Sequence, residues 1–206
     1  SLSDTKSHLE EAKIKDSMTT IDLAATNMLE LVNDLLDVAK IEAGKFDLNV
    51  QEYDVVGSIQ DQIKAFEPQA TAKHLTINYI GPEKQLVKFD RVRISQVLTN
   101  LLSNSIKYTD SGKIDINVTT ENDAEKKKRV VISIKDTGIG VSREDLSVLF
   151  SKFKQLKSFD QSRKGTGLGL VVSKGIIEAH NGQIWAESAG ENLGSTFHFS
   201  LPLSDA

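Results

Sequence analysis

From residue 16 to residue 43 the chain carries neither proline nor glycine. Its apolar residues recur at Ile21, Ala24, Met28, Leu31, Leu35, Val38 and Ile41. Steps of three and four place them on one stripe of an α-helix. The seven-residue spacing from Ile21 to Met28 to Leu35 suits the seam of a helical bundle. A lone helix cannot bury such a stripe, so this segment calls for a partner helix, in cis or in trans. Asp16 or Ser17 is expected to cap it and Gly44 to stop it. Residues 1–15 also read as helical but polar.

The pattern changes at Phe46. Short alternating segments at 46–52, 74–80, 85–89, 113–121, 129–136, 183–188 and 195–201 predict strands. Helical periodicity falls at 54–72, 91–109, 142–149 and 168–180. Strands and helices mixed in this way imply an α+β fold. We expect a two-layer α/β sandwich, a mixed sheet covered on one face by helices, preceded by the long bundle-type helix. Residues 154–166 are polar and lack periodicity, which predicts a mobile loop of a length that is usually functional or disordered.

Composition narrows the function classes. The formal net charge of -4 argues against nucleic acid as the main partner. The basic run Lys126 to Arg129 reads as a solvated hairpin loop between strands. There is no cysteine, which excludes disulfides and thiolate metal sites and fits a cytoplasmic setting. No apolar run approaches the ~18 residues of a membrane helix.

Three segments carry the chemistry. On the helix predicted at 91–109, Gln96, Asn100, Asn104, Lys107 and Tyr108 share one stripe, while Leu98, Leu101, Leu102 and Ile106 occupy the other side. Alone, this is an amphipathic helix with a wet face. Asparagine is a poor helix former, however, and using it twice is odd where Glu or Lys would serve better. Its carbonyl oxygen is a good hard ligand for Mg²⁺. Second, Asp136-Thr137-Gly138-Ile139-Gly140 follows an apolar strand. A carboxylate at a strand end can accept from an exocyclic amine, and the glycines allow tight turning near a ligand. Third, Gly165-Thr166-Gly167-Leu168-Gly169-Leu170 leads into a helix whose first N–H groups suit a phosphate. The G-x-G-x-G spacing and the preceding polar loop rule out a dinucleotide fingerprint, and no P-loop motif occurs.

In combination these segments resemble the catalytic, ATP-binding half of a sensor histidine kinase, in the superfamily shared with gyrase and the heat-shock ATPase chaperones. The matching stretches are Gln96–Thr109, Asp136–Gly140, Phe150–Phe153, Gly165–Leu170 and His180–Pro202, and Val32–Lys45 is similar to the end of the second dimerisation helix of these kinases. The resemblance covers roughly residues 17–203. It implies a partial dimerisation region over residues 1–45 and an ATP-binding domain over 46–206. It implies Mg²⁺ on Asn104 with Asn100 beside it, Lys107 on phosphate and Tyr108 against adenine. Asp136 would accept from the adenine amine, with Gly138, Gly140 and Thr196 nearby. Gly165, Thr166, Gly167, Leu168 and Gly169 would form a lid over the phosphates, anchored by Phe150 and Phe153. Ser151-Lys152 departs from the family's usual acidic residue and proline between the two phenylalanines. Gly175, inside a helix, costs about 1 kcal/mol relative to Ala.

The resemblance also implies partners: ATP, a dimerisation helix of the same or a second protomer, and a response-regulator receiver domain. A phosphate-accepting His followed by an acidic residue and Thr-Pro is not found. His8 has no following Pro, His74 precedes a strand, His180 belongs to a turn and His198 alternates into the last strand. The expectation is an acceptor upstream of Ser1 in a longer parent, with membrane anchoring of that parent left open, and a chain that binds ATP without forming phosphohistidine on itself. Two other classes are carried: a stand-alone ATPase or serine kinase of the superfamily, and a non-catalytic nucleotide-binding scaffold.

Overall fold

The computed structural model describes residues 2–123, 125–152 and 167–203. The first helix, α1, runs unbroken over Leu2–Glu42. The expected start at Asp16 or Ser17 is therefore corrected: polar residues without Pro or Gly do not interrupt a helix, and no cap is needed there. At its end the Lys45 N–H reaches Lys40 O at 2.9 Å and the Gly44 N–H reaches Ile41 O at 3.1 Å, closing the helix at the expected glycine.

The remainder alternates between strands and helices: β1 (Gln51–Asp54), α2 (Val55–Ala72), β2 (Leu75–Ile80), β3 (Leu86–Phe89), α3 (Arg91–Tyr108), β4 (Gly112–Asn122), β5 (Lys128–Asp136), α4 (Arg143–Leu146), α5 (Gly169–Ala179), β6 (Gln183–Glu187) and β7 (Ser195–Pro202). Two spans differ from expectation. The strand foreseen at 46–52 is β1, because its partner β3 offers only the ladder Gln51↔Phe89 to Asp54↔Leu86. The helix foreseen at 142–149 shortens to α4, capped by Ser142, whose Oγ accepts from the Asp145 N–H.

The five-stranded sheet has the order β2-β4-β5-β7-β6. β2 and β4 are parallel and the other pairs antiparallel, which makes the sheet mixed. Alternation sets its two faces. Ile114, Ile116, Val130, Ile132, Ile134, Phe197, Phe199 and Leu201 are buried in one core with α2, α3 and α5. Their neighbours Asp115, Ser133, Lys135, Thr196 and His198 take the opposite, polar face, where Asn78 donates to Asp115 Oδ1 at 2.8 Å. Burial of α3 is complete along its apolar side: Ile94, Val97, Leu98, Leu101 and Leu102 are each 0% exposed.

Among the described residues of α1, those at its end join this body. Val38 and Asp37 are buried, and Ile41 seats against Gly175 of α5. The glycine inside α5 thus has a packing reason, since any side chain there would collide with Ile41. Asp37 Oδ2 accepts from Arg93 Nη1 at 2.8 Å and from Gln96 Nε2 at 3.1 Å. The Arg93 guanidinium also lies 4.6 Å above the Phe46 ring. Glu42 pairs with Lys152.

Candidate functional site

β5 ends in a carboxylate that faces the helical layer. Asp136 is 4% exposed. Its Oδ1 accepts from the Gly138 N–H at 2.9 Å and the Ser195 N–H at 3.2 Å, and Oδ2 accepts from Ser195 Oγ at 2.5 Å. A buried carboxylate is tolerable because these donors meet it. The loop it opens is fixed on three sides. Thr137 N–H donates to Lys113 O, Ile139 N–H to Tyr108 O and Gly194 N–H to Gly138 O. Gly140 has φ of +67° and its Cα faces the Gly190 carbonyl, so a side chain there would be strained and blocked.

The loop meets α3 at its last turn, and the polar stripe runs back along the helix from there. Tyr108 carries the backbone bond to the loop. Lys107 lies with Nζ 5.3 Å from the Tyr108 ring centroid, and burial lowers its pKa below the usual lysine value. Asn104 Nδ2 donates to Asn100 Oδ1 at 3.3 Å, and Asn100 Nδ2 donates to Ser173 Oγ at 2.9 Å. From Tyr108 to Asn100 is about 12 Å along the helix axis. At the Asn100 end, α5 begins: Gly169 is pressed against the Asn100 amide so closely that no Cβ would fit. Leu168, preceding α5, is 2% exposed, and its carbonyl accepts from the Val172 N–H. The first N–H groups of α5 therefore face the same end of α3 as the paired amides, and a helix N-terminus favours an anion.

The structure brings together Asn100, Asn104, Lys107 and Tyr108 on α3, Asp136, Gly138 and Gly140 on the loop, and Leu168 and Gly169 at the start of α5. Gly167, with φ of +71°, immediately precedes that start. Phe150 is partly buried and packs against the core. Phe153, Gly165 and Thr166, and the loop expected at 154–166, lie outside the described residues. Thr196 is placed otherwise than expected. It pairs with Lys135 in the ladder and shares the sheet's polar face with it, whereas its neighbour Ser195 pairs with Asp136 and bonds its carboxylate. A strand turns adjacent side chains to opposite faces, so only one of the two hydroxyls can reach Asp136. Ser195 is the residue that sequence reasoning missed. The parity of the β5–β7 register identifies it, counted from Asp136↔Ser195.

A strand-end carboxylate, a polar helix face and a glycine-led helix start define a nucleotide-binding α/β module with no P-loop. Residues 89–205 match the family described as "Histidine kinase-, DNA gyrase B-, and HSP90-like ATPase", and the chain belongs to that family. The sensor protein GacS of Pseudomonas syringae pv. syringae is 40% identical over 195 residues, covering 93% of this chain and 21% of that protein. This chain thus spans about a fifth of the length of such relatives. Among solved structures, the histidine kinase AdeS of Acinetobacter baumannii aligns with a TM-score of 0.67 at 29% identity, covering 84% of this chain and 77% of that one. Full-length ShkA in complex with AMPPNP aligns with a TM-score of 0.74 at 26% identity, covering 87% of this chain and 36% of that one. The chain is therefore an ATP-binding catalytic module of the kind found in sensor histidine kinases. No helix among the described residues is long and apolar enough to cross a membrane.

Proposed function

We propose that ATP lies along α3, with adenine at Asp136 and the phosphates between Asn100, Asn104, Lys107 and the start of α5. The observation that carries this reading is the continuity of the polar face: the Asp136 loop bonds the Tyr108 carbonyl, Lys107, Asn104 and Asn100 follow back along α3 at steps of three and four, and Asn100 meets Gly169 at the start of α5. Asp136 would accept from the adenine amine, with Ser195 holding the carboxylate in place. Tyr108 would lie against the base and Lys107 would balance phosphate charge. The donor set fits magnesium. The NH₂ group of Asn104 is turned to Asn100, so the amide oxygen is the atom of Asn104 suited to a hard cation. Asn104 would hold Mg²⁺ with Asn100 beside it, and the metal when bound would neutralise phosphate charge.

In a full-length kinase of this family, a neutral imidazole nitrogen of a dimerisation helix would attack the γ-phosphorus as the bond to the bridging oxygen of ADP breaks. The phosphoryl group would then pass to an aspartate of a receiver domain. The protein's share is mostly positioning and charge stabilisation. Residues 1–45 would form part of the dimerisation region and 46–206 the catalytic domain, working in the cytoplasm. The segment 165–169 would close over the phosphates.

The magnesium assignment is tested by nucleotide titration of Asn104→Ala with and without Mg²⁺. The variant should lose most of the metal-dependent gain in affinity while binding free nucleotide nearly as wild type. Equal losses in the two conditions would contradict it.

A further inference from the structure

Helix α3 ends without the usual backbone closure. Its C-cap residue Thr109 is extended, with φ of -109° and ψ of 120°, so the chain leaves the helix without the reversing N–H bonds of a glycine cap. The last carbonyls of a helix have no partner within the helix and must be met from outside. Here one ammonium meets three of them. Lys73 Nζ donates to Ile106 O at 2.8 Å, Lys107 O at 3.2 Å and Thr109 O at 3.4 Å. The fourth, Tyr108 O, accepts from Ile139 N–H of the Asp136–Gly140 loop at 3.1 Å. An ammonium has three donors and no acceptor, and a cation at this end also opposes the negative pole of the helix.

Lys73 is aimed by its own turn. It is the C-cap residue of α2: its N–H donates to Ala70 O at 3.0 Å, and the His74 N–H donates to Thr71 O at 2.9 Å. The next residue, His74, takes a positive φ of 56°, which swings the chain into β2 and leaves the Lys73 side chain directed across to α3. The two residues on the turn it closes are Lys107 and Tyr108. That same turn anchors the loop that carries Asp136.

We propose that Lys73 is a positioning residue of the nucleotide site: its ammonium locks the last turn of α3, and so sets where Lys107, Tyr108 and the Asp136 loop stand relative to one another. This rests on the assignment of ATP to α3. Lys73 does not touch nucleotide; it acts through the backbone that presents the residues that do.

The test compares the chain with its Lys73→Met, Lys73→Gln, Arg129→Met and Asp136→Asn variants, by titration with a fluorescent ATP analogue and by amide hydrogen exchange without nucleotide. Arg129 also donates to a backbone carbonyl, Asn181 O at 2.8 Å, but away from the site. Lys73→Met should weaken binding about tenfold, the scale of a lost charge-assisted hydrogen bond. It should also speed exchange of the Ile139 amide while the Ile132 amide in β5 stays protected. Lys73→Gln, a milder change that keeps a donor, should weaken binding less, and Arg129→Met should leave affinity unchanged. If Lys73→Met and Lys73→Gln both bind as wild type while Asp136→Asn does not, the role of Lys73 is refuted and the site stands. If Asp136→Asn also binds as wild type, the assignment of ATP to α3 fails, and this role with it. Equal weakening in Arg129→Met would reduce Lys73 to general stability and overturn the proposal.

Discussion

Two of this chain's helices, α1 and α3, contrast in how their apolar stripes are covered: that of α3 is closed in, while that of α1 is covered at its end and bare before it. Along α3 every apolar residue from Ile94 to Leu102 is fully buried. Along α1, Met18, Ile21, Met28 and Leu35 are 67, 68, 67 and 53% exposed. The periodicities alike say helix; they do not say what the stripe packs on. For α3 the answer is the sheet and its flanking helices, while the described residues of α1 meet the body through its last turns. The bare stripe of α1 is the kind of surface a second helix covers, which accords with the dimerisation role proposed for it.

The contrast predicts unequal costs for the same substitution. Leu101→Ala should destabilise the chain by about 2–5 kcal/mol, since it opens a cavity in a closed core. Leu35→Ala should change the stability of the dilute monomer by no more than about 0.5 kcal/mol and instead weaken self-association. Denaturant titration and sedimentation of the two variants would measure this, and a large stability loss in Leu35→Ala would show that α1 is already packed. The junction comes next. Asp37→Ala removes the acceptor of Arg93 and Gln96 and should cost about 1–3 kcal/mol, and it should free the end of α1, seen as faster amide exchange over residues 36–42. Unchanged exchange there would mean that the Ile41–Gly175 contact alone holds the helix.

How far the sequence revealed these features follows from their locality. The α3 stripe was legible because Asn100, Asn104 and Lys107 lie within two turns of one helix, and the Asp136 loop because its glycines are adjacent to the carboxylate. The choice between Ser195 and Thr196 was not, because both bear a hydroxyl and only the strand register decides which one faces Asp136. Lys73 was hidden for a different reason: its partners lie 33 to 36 residues away and are backbone carbonyls, which leave no mark on side-chain pattern. The start of α1 was misplaced because a good capping residue resembles an ordinary helical one when nothing breaks the chain before it.

A smaller effect concerns the other end of α3. His180 Nε2 accepts from the Asp90 N–H at 2.9 Å, and its Nδ1 bonds Ile176 O at 2.8 Å, so the ring is neutral with its proton on Nδ1. Burial lowers the pKa of His180 below 6.5, against weaker opposing contributions from Ile176 O and Asp90. A depressed histidine stabilises the fold above its unfolded pKa, and that stability is lost as pH falls through the lower folded value. Stability should therefore decline below about pH 6.5, and the decline should be shallower in His180→Asn. A profile of the same slope in both proteins would remove His180 from the account.

The central claim is that one nucleotide spans the face from Asp136 to Asn100, and calorimetry with Mg-ATP on the chain and on Asp136→Asn tests it most directly. The account predicts a clear heat of association for the unaltered chain and an affinity lower by about tenfold or more in the variant, where a carboxylate worth roughly 1.5–3 kcal/mol to a bound amine is gone. Identical isotherms for the two proteins, or no heat from the unaltered chain at millimolar Mg-ATP, would contradict it.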